Sequence, residues 1–223
     1  LTGLSGGSVV LTNNGGDDLT LTSNNTFAFG TAIHPGSPYN VAVETQPSAP
    51  TQNGVVTNGT GTVTSSNVTN VAVACSPAKF KVNVAVSGLT GGSVVLTNNG
   101  GDALTVSSNS TASFATTVAS GSPYAVAVAT NPSSPNQTCT VGAPASGTIG
   151  SSDVTVPVTC TTQTFKVGGT VTGLTGTLVI KDTAALGGAG ESATVTADGT
   201  FQFTSPRNSG SSFNVTTANL TQP

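Results

Sequence analysis

Apolar and polar residues alternate with a period of two through much of the chain. Phe80, Val82, Val84 and Val86 are interleaved with Lys81, Asn83, Ala85 and Ser87, which puts four apolar side chains on one face of an extended segment. The same pattern predicts strands over Ser93–Thr97, Leu104–Ser107, Thr111–Thr116, Tyr124–Thr130, Gln137–Val141 and Val154–Cys160. Asn-Gly, Gly-Gly and Ser-Pro pairs punctuate them, and no stretch keeps a helical period. The cluster Asn98-Asn99-Gly100-Gly101-Asp102 suits a hairpin turn, because Asn and Gly tolerate positive φ. About seven short strands in roughly 85 residues is the pattern of a two-sheet β-sandwich.

The pattern recurs along the chain. Residues 3–17 and 88–102 are identical except for Ser5 against Thr90, an offset of 85. The offset persists through Gly36-Ser37-Pro38-Tyr39 against Gly121-Ser122-Pro123-Tyr124, Gln52 against Gln137 and Cys75 against Cys160. A divergent third copy opens at Gly173-Leu174-Thr175-Gly176 and carries Asp198-Gly199-Thr200-Phe201-Gln202-Phe203 where the first has Asn24-Asn25-Thr26-Phe27-Ala28-Phe29. The expected organisation is therefore three copies: residues 1–78 lacking the first strand, residues 79–163 complete, and residues 164–223 lacking the last strands. The third copy ends at Gln222-Pro223, equivalent to Asn131-Pro132, so the chain is expected to be a window of a longer array.

A strand ending in V-x-G-L, a G-S-V-V-L strand, an N-G-x-F-x-F-like hairpin and S-P-Y-x-V-x-V resemble the tandem immunoglobulin-like (transthyretin-like or carboxypeptidase-regulatory-like) β-sandwich repeats of bacterial secreted and cell-surface proteins. The resemblance implies an all-β fold of tandem immunoglobulin-like repeats of about 85 residues, outside the cell. Such domains serve as stalks, adhesin arms, fibre subunits and accessory modules, so the likeness implies compartment more than activity.

Composition narrows the function. Only 6% of the 223 residues are charged and the net charge is -3, against roughly 25% charged in an ordinary soluble domain. Thr, Ser and Asn supply more than a third of the chain instead. Five basic residues make no stripe for neutralising phosphates, so nucleic acid is not an expected partner. No apolar run approaches the ~18 to 20 residues that span a bilayer, and no leader-like segment opens the chain. Membrane insertion is therefore not expected.

Three cysteines are present. Cys139, in a Gln-Thr-Cys-Thr-Val strand, and Cys160, at the end of the last strand, are expected to form a disulfide within the middle copy, worth ~3 kcal/mol by restricting the unfolded chain. Gly54 stands at the position of Cys139 in the first copy. Cys75 is thus either a buried free thiol or an intermolecular bridge.

Catalytic, cofactor and metal sites are not expected. His34, the single histidine, lies in a turn-rich loop where the middle copy has Ala119, which leaves no base for a nucleophile. Asp17 and Asp18 follow Asn13-Asn14-Gly15-Gly16, but the middle copy keeps only Asp102. That favours a turn over a calcium site. Lys81 and Lys166 lie in first strands, as in domains that join Lys to Asn covalently, yet the alternation turns them away from the apolar face and the middle copy has no Glu. Tyr39 and Tyr124, without Trp, suit a strand corner better than sugar stacking. Seven Asn-x-Ser/Thr triplets, among them Asn58-Gly59-Thr60 and Asn214-Val215-Thr216, exceed the about five expected by chance too little to mark N-glycosylation.

These readings converge on a non-enzymatic structural subunit of a bacterial extracellular fibre, filament or surface stalk, assembled by strand addition. Its expected partners are copies of itself or neighbouring repeats. The alternative is an adhesin-type module that presents loops such as Ala32–Pro38 to a host or to glycans.

Overall fold

A computed structural model describes residues 1–184 and 190–221. Gln222 and Pro223, the expected end of the third copy, lie outside the described residues. Every regular element described is a strand. The first copy holds β1 (Val9–Asn13), β2 (Gly16–Leu21), β3 (Pro38–Thr45), β4 (Gln52–Thr57), β5 (Thr60–Thr62) and β6 (Ala72–Pro77). The middle copy holds β7 (Lys79–Phe80), β8 (Val82–Ser87), β9 (Val94–Asn98), β10 (Asp102–Val106), β11 (Thr111–Ser113), β12 (Val118–Ala119), β13 (Pro123–Thr130), β14 (Gln137–Val141), β15 (Ser146–Thr148) and β16 (Val154–Thr162). In the third are β17 (Thr164–Phe165), β18 (Gly168–Val171), β19 (Thr177–Asp182), β20 (Glu191–Val195), β21 (Gly199–Gln202), β22 (Arg207–Asn208) and β23 (Val215–Thr221).

In the middle copy the alternation builds two four-stranded sheets, β10-β9-β13-β15 and β11-β8-β16-β14. Val82, Val84, Val156 and Val158 from one sheet and Val94 and Leu96 from the other are fully buried. They form one core with Phe114, Tyr124, Ile149 and both cysteines. Each such aliphatic side chain contributes about 1.5–3 kcal/mol on burial. The two sheets pack as a sandwich. Neighbouring strands run antiparallel except β8 and β16, which pair in parallel from Val82↔Val154 to Ser87↔Thr159.

Ten strands form here rather than about seven, the additions being the short β7, β12 and β15. Gln137–Val141 falls where the alternation places it, and the other boundaries lie within three residues of their expected places. At the hairpin, Asn99 and Gly100 take φ of 52° and 71°, while Asn98 and Asp102 belong to the strands.

The outer copies share this plan in part. The first has the sheet β2-β1-β3-β5 but only β4-β6 facing it, and the third has β20-β19-β23 with β18-β21. Leu1 and Thr2 occupy the positions of Val86 and Ser87: the Leu1 amine donates to Asn25 O at 2.8 Å, and Thr2 bridges Ala74 in parallel.

Candidate functional site

Three polar contacts recur in two or more copies and tie loops to strands. Asn109 accepts from Leu89 N at 2.8 Å and donates to Leu89 O at 3.0 Å, and Asn24 does the same to Leu4. Gln137, almost fully buried, accepts from Thr90 N and donates to Gly88 O, as Gln52 does with Ser5 and Gly3. Gly88 has to be glycine: its φ is 72°, and a Cβ there would lie 2.2 Å from Cys160 O. Asp102 accepts from Thr116 N, Asp17 from Thr31 N, and Glu191 from Thr204 N and Ser205 N.

Asp17 and Asp102, singled out by sequence, therefore brace loops. Asp17 and Asp18 are successive residues of β2, so their side chains leave opposite faces of the strand. No group of three or more metal-ligating side chains occurs among the described residues. His34 is exposed, its carbonyl accepting from Ser37 N. Lys81 and Lys166 are exposed too, and Lys81 N donates to Asp153 Oδ1 at 2.7 Å. Tyr39 donates its hydroxyl to Asn58 O at 3.3 Å. Tyr124 is buried, its ring seated against Gly147, where a Cβ would come within 3.1 Å.

Cys139 and Cys160 face each other across β14 and β16 and are disulfide-bonded. Cys75 faces Gly54 in the equivalent register and is a buried free thiol. Burial pushes that thiol up from its ordinary pKa, only partly offset by the Leu1 ammonium, which disfavours the reactive thiolate.

The third copy replaces a neutral contact with a charged one. Asn98 accepts from Ala125 N and Asn13 from Asn40 N. The corresponding Asp182, 1% exposed, accepts from Asn214 N and meets Arg207 at 2.5 Å. Burial pushes its carboxyl up, but backbone N–H groups of Asn214 and Ala184 together with Arg207 hold it below the usual carboxylate range.

Sequence reading missed the junctions between copies, which are built twice from the same parts. Between the first and middle copies, Thr51 N donates to Ser120 Oγ at 3.0 Å, Ser120 N to Ala78 O at 2.8 Å and Ala78 N to Thr51 O at 3.0 Å. Between the middle and third, Asn136 N donates to Ser209 Oγ at 2.9 Å, Ser209 N to Gln163 O at 2.8 Å and Gln163 N to Asn136 O at 2.9 Å. Each junction also seats a glycine on a proline: a Cβ on Gly121 would lie 3.3 Å from Pro50 Cβ, and one on Gly210 3.2 Å from Pro135 Cβ. The Ser-Gly pairs 120–121 and 209–210 were the available signal, but they stand 89 residues apart rather than 85.

Beside the second junction is an open depression of about 640 Å³ lined by Phe165, Val167, Phe201, Arg207 and Phe213 among others. Phe165 and Phe213 are 51% and 62% exposed. Nucleophile, base and metal-ligand sets do not converge there. No protein-family profile, curated protein or solved structure matches the chain.

Proposed function

We propose that this chain is a structural segment of a bacterial extracellular fibre, filament or surface stalk, built from tandem immunoglobulin-like β-sandwich repeats of about 85 residues. The observation that carries the reading is the double junction: two copy-to-copy contacts use the same three-bond ring and the same glycine-on-proline seat. Equal junctions give a quasi-one-dimensional array in which each copy is held by its neighbours. The Cys139–Cys160 disulfide favours an oxidising compartment outside the cytosol. A surface poor in Lys and Glu leaves strand edges without their usual protection, which supports assembly by strand addition.

Cryo-electron microscopy of native surface material containing this chain tests the proposal. Regular filaments or rods with one density unit per copy are the expected result. Isolated, unconnected chains would overturn it.

A second reading, an adhesin-type module, draws on the exposed turn around His34, where the first copy carries His34-Pro35 and the middle one Ala119-Ser120. This turn carries the junction serine in the middle and third copies, Ser120 and Ser209, but Pro35 in the first, as expected of a loop that meets a variable target. Binding of the intact chain to a glycan array, lost on replacing His34-Pro35 by Ala-Ser, would favour it over a strut.

A further inference from the structure

A strand at the edge of a sheet needs a neighbour or a mask, and the complete middle copy treats its four edges differently. β11 and β15 are three residues long, too short to offer a ladder. β14 is masked: Gln137 N donates to Pro132 O at 3.0 Å and Cys139 N to Asn131 Oδ1 at 2.7 Å. The first copy masks β4 likewise, with Gln46 accepting from Gly54 N and donating to Gly54 O. β10, five residues long, has neither device.

The register shows which groups of β10 are unused. Asn99 N donates to Ala125 O, so odd-numbered positions of β9 bond to β13 and even-numbered ones to β10. Asp102, Leu104 and Val106 therefore complete the ladder with β9, while Ala103 and Thr105 turn their N–H and C=O groups outward. Among the described residues nothing bonds to these groups. The outer face of the edge is uncharged: Ala103 and Thr105 are exposed, whereas the first copy has Asp18 in place of Ala103. Leu104 lies between them on the core side, packed on the margin of the core and only half-buried.

We propose that β10 pairs with β10 of a second copy of this chain, antiparallel and two-fold symmetric about Leu104. Ala103 then exchanges both of its backbone bonds with Thr105 of the second copy, and Thr105 with Ala103. Leu104 meets its own equivalent in a non-hydrogen-bonded position, where Cα atoms approach to about 4.5 Å, and each leucine covers the exposed part of the other. On the outer face small Ala103 stands opposite Thr105. On the inner face Asp102 stands opposite Val106, its carboxylate already held by Thr116 N, so no like charges oppose each other. The edge matches itself, as a two-fold contact requires, and this names a second copy as its occupant. The proposal rests on the fibre reading above and gives arrays a sideways joint beside the end-to-end one of the junctions.

The test follows the full chain by sedimentation and amide hydrogen exchange from dilute to concentrated solution. The expected result is a concentration-dependent dimer in which Ala103 and Thr105 exchange at least about ten-fold more slowly than in the monomer. Ala103→Asp should abolish both the dimer and the protection with the melting temperature unchanged, because the first copy already folds with Asp18 at this position. Thr105→Pro, which removes an outward N–H and no ladder bond, should do the same. A chain that stays monomeric at all concentrations overturns the proposal. So does a dimer that leaves Ala103 and Thr105 unprotected, or one that survives Ala103→Asp. Native filaments whose chains meet without β10 leave the fibre reading intact and remove this joint, whereas a β10 dimer in surface material without filaments or rods removes the fibre reading and leaves the joint.

Discussion

The amide side chain of Asn109 closes on the backbone of Leu89 from both sides, accepting from its N–H at 2.8 Å and donating to its carbonyl at 3.0 Å. Twenty residues separate the two, so one side chain fixes the connection between β8 and β9, which crosses from one sheet to the other, to the connection that leads into β11. Asn109→Ala leaves both groups of Leu89 unpaired in a half-buried turn. The expected cost is about 1–3 kcal/mol. Urea unfolding monitored on the middle copy checks it, with Asn109→Asp, which keeps the acceptor and loses the donor, falling between alanine and wild type.

The first copy holds the geometry of a disulfide without its second sulfur. Gly54 lies opposite Cys75 as Cys139 lies opposite Cys160, and a Cβ on Gly54 would stand 3.5 Å from Cys75 Sγ. The obstacle is Gln46, whose amide accepts from Gly54 N at 2.6 Å and donates to its carbonyl at 3.2 Å, and lies 3.2 Å from such a Cβ. In the middle copy the shorter Asn131 accepts from Cys139 N alone. Gly54→Cys combined with Gln46→Asn is expected to oxidise to a second disulfide and gain about 3 kcal/mol. Intact mass should fall by two hydrogens on oxidation, and Gly54→Cys alone should form the bond in lower yield.

Acid should act on the third copy before the others. Asp182, Glu191 and Asp198 all sit below the ordinary carboxylate range; for Asp198 the cause is the N–H groups of Leu174 and Gly173, and for Glu191 chiefly the Thr204 hydroxyl. A carboxyl whose folded pKa is depressed stabilises the fold fully above its unfolded value, near about 4, and loses that contribution as pH falls through the folded value. The melting temperature of the third copy should therefore be flat from neutrality to about pH 5 and fall below about pH 4. Asp198→Asn keeps the clamp, since Asn24 and Asn109 perform it in the other copies, and should make that fall shallower.

Ser120 joins the copies through its side chain: Oγ accepts from Thr51 N and donates to Gly150 O at 2.7 Å. Ser120→Ala should cost about 1 kcal/mol within the middle copy. Its larger effect should be on the angle between copies, seen as a broader interparticle distance distribution in small-angle scattering. An unchanged distribution would mean that the backbone bonds of Ala78 and the Gly121–Pro50 seat fix the angle alone.

Much of this architecture can be read before folding is considered. Period-two alternation locates β8, β13, β14 and β16 because each is half-buried, and it places Cys139 and Cys160 in two strands of the same copy. β15 escapes because Ser146, Gly147 and Thr148 are all exposed and carry no alternation. β7 and β12 escape because two residues have no period. Gln52 and Gln137 are visible as a matched pair, but not as clamps, since their backbone partners lie 47 residues away. Asp17 is misleading for a related reason: the Asn-Gly run makes it look like a turn residue, while the fold brings Thr31 to its carboxylate. The junction depends on a serine hydroxyl from one copy meeting an amide of another, a relation that no local pattern encodes.

The parallel neighbours β8 and β16 have a mechanical meaning. The chain enters the middle copy at the start of β8 and leaves it at the end of β16, so tension applied to the two ends pulls the paired strands along their length in opposite directions. The six rungs from Val82–Val154 to Ser87–Thr159 then resist together in shear, instead of parting one at a time as in a peeled hairpin. The Cys139–Cys160 bond ties β16 to its other neighbour, β14. Under tension the middle copy is thus a tie rather than a spring.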